Sequence, residues 1–177
     1  MTRKELLDRD WARLEALCGR KGRKRGFSSN VSPRFAHIVL IRTAQRLHSR
    51  GWRMPAKFFS LLNFLLFGIE VPAGLEIGPG LVIPHTQGTI LGAARIGRDV
   101  TIYQQVTLGA KLADYDYDPA TRPVVEDAVT ITAGAKILGA LTLGTGCTVG
   151  ANAVVLEDVP PGAVAVGVPA RILNART

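Results

Sequence analysis

Residues 125–155 read VEDAVT-ITAGAK-ILGALT-LGTGCT-VGANAV-V, and an aliphatic residue opens every block of six. Those residues are Val125, Ile131, Ile137, Leu143, Val149 and Val155. An α-helix repeats every 3.6 residues and a half-exposed strand every two, so neither explains this period. A period of six is typical of a solenoid in which each block makes one short strand and one turn, with the aliphatic residue facing the axis. The stretch therefore predicts stacked coils around a continuous apolar ladder.

The same period extends towards the N-terminus with two interruptions. The earlier aliphatic series is Val71, Ile77, Ile83, Ile90, Ile96, Ile102 and Leu108. One step is seven residues, and its extra residue lies in the segment 84–89, which contains His85. The series is lost altogether in the polar segment 110–123, which must loop out of the ladder. Interruptions of a regular solenoid are where function is expected.

The first 68 residues lack this period and are predicted to be helical, whereas residues 69–177 form the solenoid domain with its loop 110–123. Capping and stop signals predict helices over about 3–19, 33–51 and 55–66. His37 and His48 fall on the second helix. Since no second ligand or nucleophile is spaced to meet them, both are expected at surface or cap positions.

The positive charge is concentrated at the N-terminus. Residues 1–57 hold 15 Lys or Arg against 4 Asp or Glu, and residues 58–177 hold 7 against 10. The densest basic run, 20–25, could meet nucleic acid, anionic lipid or an acidic glycan, or could be a solvated linker. No nucleic-acid motif accompanies it, so nucleic acid is not expected as a partner. Peripheral contact with an anionic membrane surface stays open.

Composition excludes several other classes. The two cysteines, Cys18 and Cys147, make no disulfide framework or metal motif, so no metal is expected. Cys147 fits a small packed position, and free thiols agree with a cytoplasmic location. The N-terminus lacks a signal-peptide pattern. The most apolar stretch, 58–69, is shorter than the roughly twenty residues that a bilayer crossing needs.

Several short motifs resemble those of a known family. They are Ile83–Gly88 (IPHTQG), Val106–Gly109 (VTLG), Ala133–Gly139 (AGAKILG) and Gly167–Arg171 (GVPAR). Together with the hexads they resemble the hexapeptide-repeat acyltransferases, above all serine acetyltransferases and relatives that acetylate sugars in surface-polysaccharide synthesis. The resemblance implies a mainly β fold, a left-handed parallel β-helix with an N-terminal helical segment and a protruding loop. It also implies a homotrimer, with acetyl-CoA lying along each seam between subunits.

The resemblance assigns roles to individual residues. Transfer of an acetyl group to a hydroxyl needs a base, and a histidine suits this near neutral pH. His85 occupies the position that resembles the family's catalytic histidine. Gly109, Ala133 and Ala151 match small positions beside the pantetheine arm, and Arg171 is expected to reach the nucleotide phosphates. What orients the His85 imidazole stays open, between a backbone carbonyl and a loop aspartate of a neighbouring subunit.

The acceptor is predicted from departures from the serine pattern. Pro84, Ala93 and Arg122 stand where that group carries Asp, Glu and a second His. Recognition of zwitterionic serine should need paired charges, so these losses favour a saccharide hydroxyl. The candidate acceptor-binding residues are Asp114, Tyr115, Asp116 and Arg122. The alternatives are a serine O-acetyltransferase of cysteine biosynthesis and a non-catalytic trimeric scaffold.

Overall fold

The computed structural model describes residues 1–112, 114 and 116–173. Its helices are α1 (Arg3–Leu17), α2 (Phe27–Asn30), α3 (Ala36–Ser49) and α4 (Arg53–Phe67). The capping box at the start of α1 is present, and Gly68 ends α4 in the left-handed conformation. α3 begins three residues later than predicted, after a turn in which the Ser32 carbonyl accepts from the amides of Phe35 and Ala36. Within the described residues, no helix combines the length and apolarity that crossing a bilayer requires.

The remaining described residues form short strands joined by turns. In chain order the strands are β1 (Ile69–Glu70), β2 (Glu76–Ile77), β3 (Thr89–Leu91), β4 (Arg95–Ile96), β5 (Thr101–Ile102), β6 (Thr107–Gly109), β7 (Val124–Val125), β8 (Thr130–Ile131), β9 (Lys136–Leu138), β10 (Thr142–Leu143), β11 (Thr148–Val149), β12 (Val154–Val155), β13 (Val164–Val166) and β14 (Arg171–Leu173). A 3-10 helix, Pro119–Thr121, lies in the loop between β6 and β7.

These strands build a three-sided coil. Sheet A has the order β1-β3-β6-β9-β12, sheet B the order β10-β7-β4-β2, and sheet C the order β14-β13-β11-β8-β5. The chain visits A, B and C in turn and then returns to A, so each strand pairs with its counterpart one coil away. All of these pairings are parallel except that of β13 with β14. The predicted solenoid is confirmed.

The predicted ladder is also confirmed, with one error at Ile90. Aliphatic side chains stack in register along each sheet, as Leu108 does with Ile137 in sheet A. Ile90, however, is 38% exposed, and the buried residue of its strand that pairs with Leu108 is Leu91. Successive residues of a strand point to opposite faces, so this register turns Ile90 outward. The interruption therefore inserts two residues before Leu91, and the next step, to Ile96, is one residue short.

Helices and coil share one hydrophobic core, and a buried ion pair joins them. Asp10 on α1 accepts two hydrogen bonds from the Arg42 guanidinium on α3, at 2.8 and 3.0 Å, and both side chains are fully buried. Arg42 also donates to the carbonyls of Ile77 and Gly78. Asp10 further accepts from the backbone amides of Gly80 and Leu81. The pair thereby fastens two helices to the first turns of the coil.

His37 is fully buried and is neither cap residue of α3, so its predicted surface or cap position is wrong. Its ring packs edge-on against Phe67, with ring centroids 5.7 Å apart. Within the described part of the chain, neither ring nitrogen makes a hydrogen bond of good geometry. Burial lowers the pKa of His37 to about 4, and the nearby carbonyls of Pro33 and Ile83 offset this only in part. The imidazole is therefore neutral in the folded protein at neutral pH.

This buried imidazole predicts acid sensitivity. His37 protonates near its ordinary pKa of 6.5 when unfolded but only near a pKa of about 4 when folded. Between those values the unfolded state binds more protons, so the free energy of unfolding falls as the pH falls, by about 3 kcal/mol in total. Urea denaturation at several pH values should show this fall in the wild type. The His37→Leu variant should lose that component, and parallel pH profiles for the two proteins would contradict the prediction.

Candidate active site

His85 lies where the coil turns from sheet C to sheet A. We call this corner of the coil the C–A edge, formed by residues 84–88, 103–106, 132–135 and 150–153. Backbone hydrogen bonds stack its turns, as from Gly134 to the Gln104 carbonyl at 3.0 Å and from Asn152 to the Ala133 carbonyl at 2.9 Å. The edge places His85, Ala133 and Ala151 in one line parallel to the axis, although they are far apart in sequence.

The two-residue insertion shapes the turn that carries His85. The Gly88 amide donates to the Gly68 carbonyl at 2.9 Å, and the Thr89 amide donates to the Thr86 carbonyl at 3.2 Å. Gly88 has a φ of +70°, a conformation that other residues adopt at a cost. The wide turn is thus tied to the end of α4, and the His85 side chain is exposed rather than directed into the core.

The His85 side chain lines a cavity of about 390 Å³ between the coil and the helical segment. The outer face of sheet C forms one wall through Thr101 and Thr130, and the C-terminal half of α1 forms the other. Helix α1 contributes Leu14 and Leu17 to this wall. Cys18, Arg34 and Tyr103 also line the cavity. The cavity has room for a small acceptor beside the imidazole.

Tyr103 is a residue of this cavity that the sequence reasoning missed. Val82 bridges Thr101, so Ile83 lies opposite Ile102, and Tyr103 therefore lies one coil from Pro84, beside His85. Counting residues from the ladder would have found Tyr103, because it directly follows a ladder position. Leu14 and Cys18 could not be found in this way, since α1 reaches the cavity only through tertiary packing.

The predicted cofactor residues divide between two edges. Ala133 and Ala151 lie on the C–A edge with His85, where their small side chains leave the surface open. Arg171 is exposed at the start of β14, and the segment before it is held beside the same edge by a hydrogen bond from Ala170 to the Val154 carbonyl, at 2.8 Å. Gly109 lies elsewhere, at the end of β6, where the chain turns from sheet A to sheet B.

The loop 110–123 leaves the coil at that second corner, which we call the A–B edge. Asp114 and Arg122 are bound to each other in the loop, with 2.9 Å between the Asp114 Oδ2 and the Arg122 Nε. Arg122 also donates to the Gly92 carbonyl and stacks over the Tyr117 ring, 3.6 Å from its centroid. Asp114 and Arg122, two of the four predicted acceptor residues, therefore have structural contacts in this chain. Of the other two, Asp116 is exposed, and Tyr115 lies outside the described residues.

Electrostatics support this structural role of Asp114. Burial raises the pKa of the Asp114 carboxyl, but hydrogen bonds from the Asp118 amide, Arg122 and Thr121 outweigh that effect, so the pKa is lowered overall. The carboxylate stays ionised and keeps the base of the loop closed around Arg122. Elsewhere, burial raises the pKa of the Cys147 thiol to about 11, as befits the packed position predicted for it. Within the described part of the chain, no group of acidic, His or Cys side chains could hold a metal ion.

A coil of six-residue blocks with a histidine exposed at a widened turn is the framework of the hexapeptide-repeat acyltransferases. A serine acetyltransferase of Helicobacter pylori is 40% identical to this chain over 138 residues, which cover 77% of the chain and 79% of that protein. The chain belongs to the serine acetyltransferase family. No protein-family model matches it.

Solved structures agree with this assignment. A serine acetyltransferase in complex with CoA superposes with a TM-score of 0.83 at 28% identity, over 97% of this chain and 69% of that one. The Neisseria gonorrhoeae serine acetyltransferase in complex with serine gives a TM-score of 0.78 at 29% identity, over 95% and 69% of the two chains. The coil is thus the left-handed parallel β-helix of this family, as the resemblance implied.

Proposed function

We propose that this chain is an acetyl-CoA-dependent serine O-acetyltransferase with His85 as its general base. The observation that carries the proposal is the exposed imidazole on the same edge as Ala133 and Ala151, in a chain 40% identical to a serine acetyltransferase. Structural neighbours were solved with CoA and with serine. These comparisons favour serine over the saccharide acceptor that the sequence departures predicted.

The chemistry needs no covalent enzyme intermediate. His85 would take the proton of the acceptor hydroxyl as its oxygen attacks the carbonyl carbon of the thioester. The tetrahedral intermediate then collapses, the carbon–sulfur bond breaks, and the imidazolium returns its proton to the departing thiolate. The products are the O-acetyl ester and CoA, so the histidine ends in its starting state. Free cysteines agree with a reducing, cytoplasmic setting for this reaction.

The C–A edge supplies a path for the cofactor. Large side chains at Ala133 or Ala151 would obstruct an extended pantetheine arm along this edge. Arg171, exposed at the far end of the same edge, would meet the nucleotide phosphates as a cation. Gly109 does not lie on this line in one chain. Its predicted contact with the cofactor requires the A–B edge of another copy.

We further propose a homotrimer whose sites lie between copies. In a single chain, His85 lies on the C–A edge and the acceptor loop leaves from the A–B edge, one sheet away. A loop residue such as Asp116 can join His85 only when a second copy brings its A–B edge alongside. In a ring with closed cyclic symmetry, the C–A edge of each copy contacts the A–B edge of the next. A ring of three copies makes three such contacts.

A saccharide hydroxyl is the second candidate acceptor. Arg122 and Asp114 neutralise each other inside the loop, and Pro84 and Ala93 carry no polar side-chain group. These four positions therefore supply little that would recognise the charged amino and carboxylate groups of serine. An uncharged polyol would not need them.

Acetyl transfer to serine is expected in a coupled thiol assay. With acetyl-CoA present, serine should release CoA thiol at roughly 1–10³ per second per site, the usual range for enzymes. Alanine, which lacks only the hydroxyl, should give background release, and mass spectrometry should show O-acetylserine. Release with a saccharide panel but not with serine would favour the second candidate. If no acceptor causes release of CoA thiol, the non-catalytic trimeric scaffold would be the remaining alternative.

A further inference from the structure

Helix α4 has one buried face and one exposed apolar face. One face, with Ala56 and Asn63 fully buried, packs against α3. The opposite face carries Met54, Phe58, Leu61 and Leu65, which are 53% to 75% exposed. Their spacing of four, three and four residues places them in one stripe along the helix. We call these four residues the α4 stripe.

Such a stripe calls for a partner. An apolar helix face normally packs in a core or lies at an apolar boundary. Phe64 and Leu66 beside the stripe are also more than half exposed, which extends the apolar surface. Contiguous exposed surface of this kind marks an interaction site in a native protein.

The charges around α4 indicate which partner fits. Residues 31–69 contain no Asp or Glu. Arg46, Arg50, Arg53 and Lys57 are all exposed there, on the last turns of α3 and the first turns of α4. Trp52, 62% exposed, directly precedes α4. Cations and a tryptophan at the border of an apolar stripe are the pattern of a helix lying in a membrane interface.

The basic run 20–25 is a weaker candidate for membrane contact. Arg20 and Arg23 form ion pairs with Glu15 of α1, and Arg25 pairs with Asp8. Three of its cations are thus compensated within the chain. The cations of the α3–α4 turn keep their positive charge for a partner.

We propose that the α4 stripe docks this protein on an anionic lipid surface, with α4 in the plane of the membrane. Fifteen residues give a helix of about 22 Å, shorter than the roughly 30 Å hydrocarbon core, so α4 would lie on the bilayer. The α4 helix of a second copy contains no Asp or Glu, so it would offer Arg53 and Lys57 no counter-charge. Anionic lipids instead compensate those cations, at about 1 kcal/mol each.

Vesicle binding tests this proposal with the full-length protein. Vesicles of equal parts phosphatidylcholine and phosphatidylglycerol should sediment the wild type, whereas pure phosphatidylcholine should sediment much less. The Trp52 emission should shift to the blue on binding, while Trp11, which is buried, contributes a constant signal. Lys57→Gln, which removes one positive charge, should weaken partitioning about fivefold. Leu65→Gln should weaken it about tenfold or more, because a leucine side chain no longer enters the interface.

Leu156→Gln is the matched control, since Leu156 is an exposed leucine of the coil. It should bind vesicles like the wild type. Sedimentation velocity without lipid tests the rival occupant of the stripe, which is a second copy of this chain. If Leu65→Gln changes the size of the assembly, the stripe is a contact between copies and the proposal fails. The proposal also fails if the wild type does not bind anionic vesicles, or if Leu65→Gln binds them as strongly as the wild type. Acetyl transfer measured without vesicles should be unchanged in Leu65→Gln, so the proposal is independent of the proposed function.

Discussion

His85→Asn is expected to lower kcat for acetyl transfer by roughly 10²–10⁴-fold, the usual contribution of general base catalysis. Asparagine is close to histidine in size and polarity, so the exposed turn should keep its shape. It has no basic nitrogen, so the acceptor hydroxyl would have to lose its proton to water. Initial rates of CoA thiol release at saturating acetyl-CoA would measure the loss, and KM for acetyl-CoA should change little.

His48→Asn serves as the control, because His48 is exposed on α3, away from the C–A edge. It should retain wild-type kcat. Circular dichroism and the size of the assembly should be unchanged in both variants. A His85→Asn protein that keeps wild-type kcat would remove the imidazole from the mechanism. In that event the base would have to be sought among the other polar groups of the cavity, beginning with Tyr103.

The fold was readable from the sequence because every coil repeats the same burial requirement. Each ladder residue is buried by its neighbours above and below, so the period of six appears in the residue types themselves. At Ile90 the period misled, since strand pairing rather than aliphatic character decides which residue faces inward. Thr89 and Leu91 are both fully buried on either side of it. Thr89, a polar residue buried beside Ile90, conceals the true register.

The candidate site was readable only in part. His85 was found because its turn breaks the repeat, which is a local signal. The contacts of Arg122 were not foreseeable, since Gly92 lies in an earlier coil and Tyr117 lies within the loop, and only the folded loop brings them to Arg122. His37 was misplaced on the surface for the same reason: its helix is covered by Phe67 and by the chain near Ile83. Sequence spacing on one helix does not reveal what packs against it.

The pairing of Asp10 with Arg42 had no sequence signal either, and its removal is expected to have the largest effect on stability. Asp10→Ala leaves the Arg42 guanidinium buried without its counter-charge. It also leaves the amides of Gly80 and Leu81 without their acceptor. Breaking a buried ion pair by removing one partner costs about 3–5 kcal/mol. Urea denaturation at neutral pH should show a loss of that size in the free energy of unfolding.

A surface pair on the same helix provides the comparison. Asp8 pairs with Arg25 at 2.9 Å, but its side chain is 48% exposed. Asp8→Ala should therefore cost no more than about 1 kcal/mol. Where Asp10→Ala proves too unstable to purify, Asp10→Asn is the milder variant, because its side-chain oxygen can still accept from the two amides. Equal losses for Asp8→Ala and Asp10→Ala would show that the buried pair does not fasten the helices to the coil. A far larger loss at Asp10, within a single unfolding transition, would show that α1 and α3 unfold together with the first turns of the β-helix.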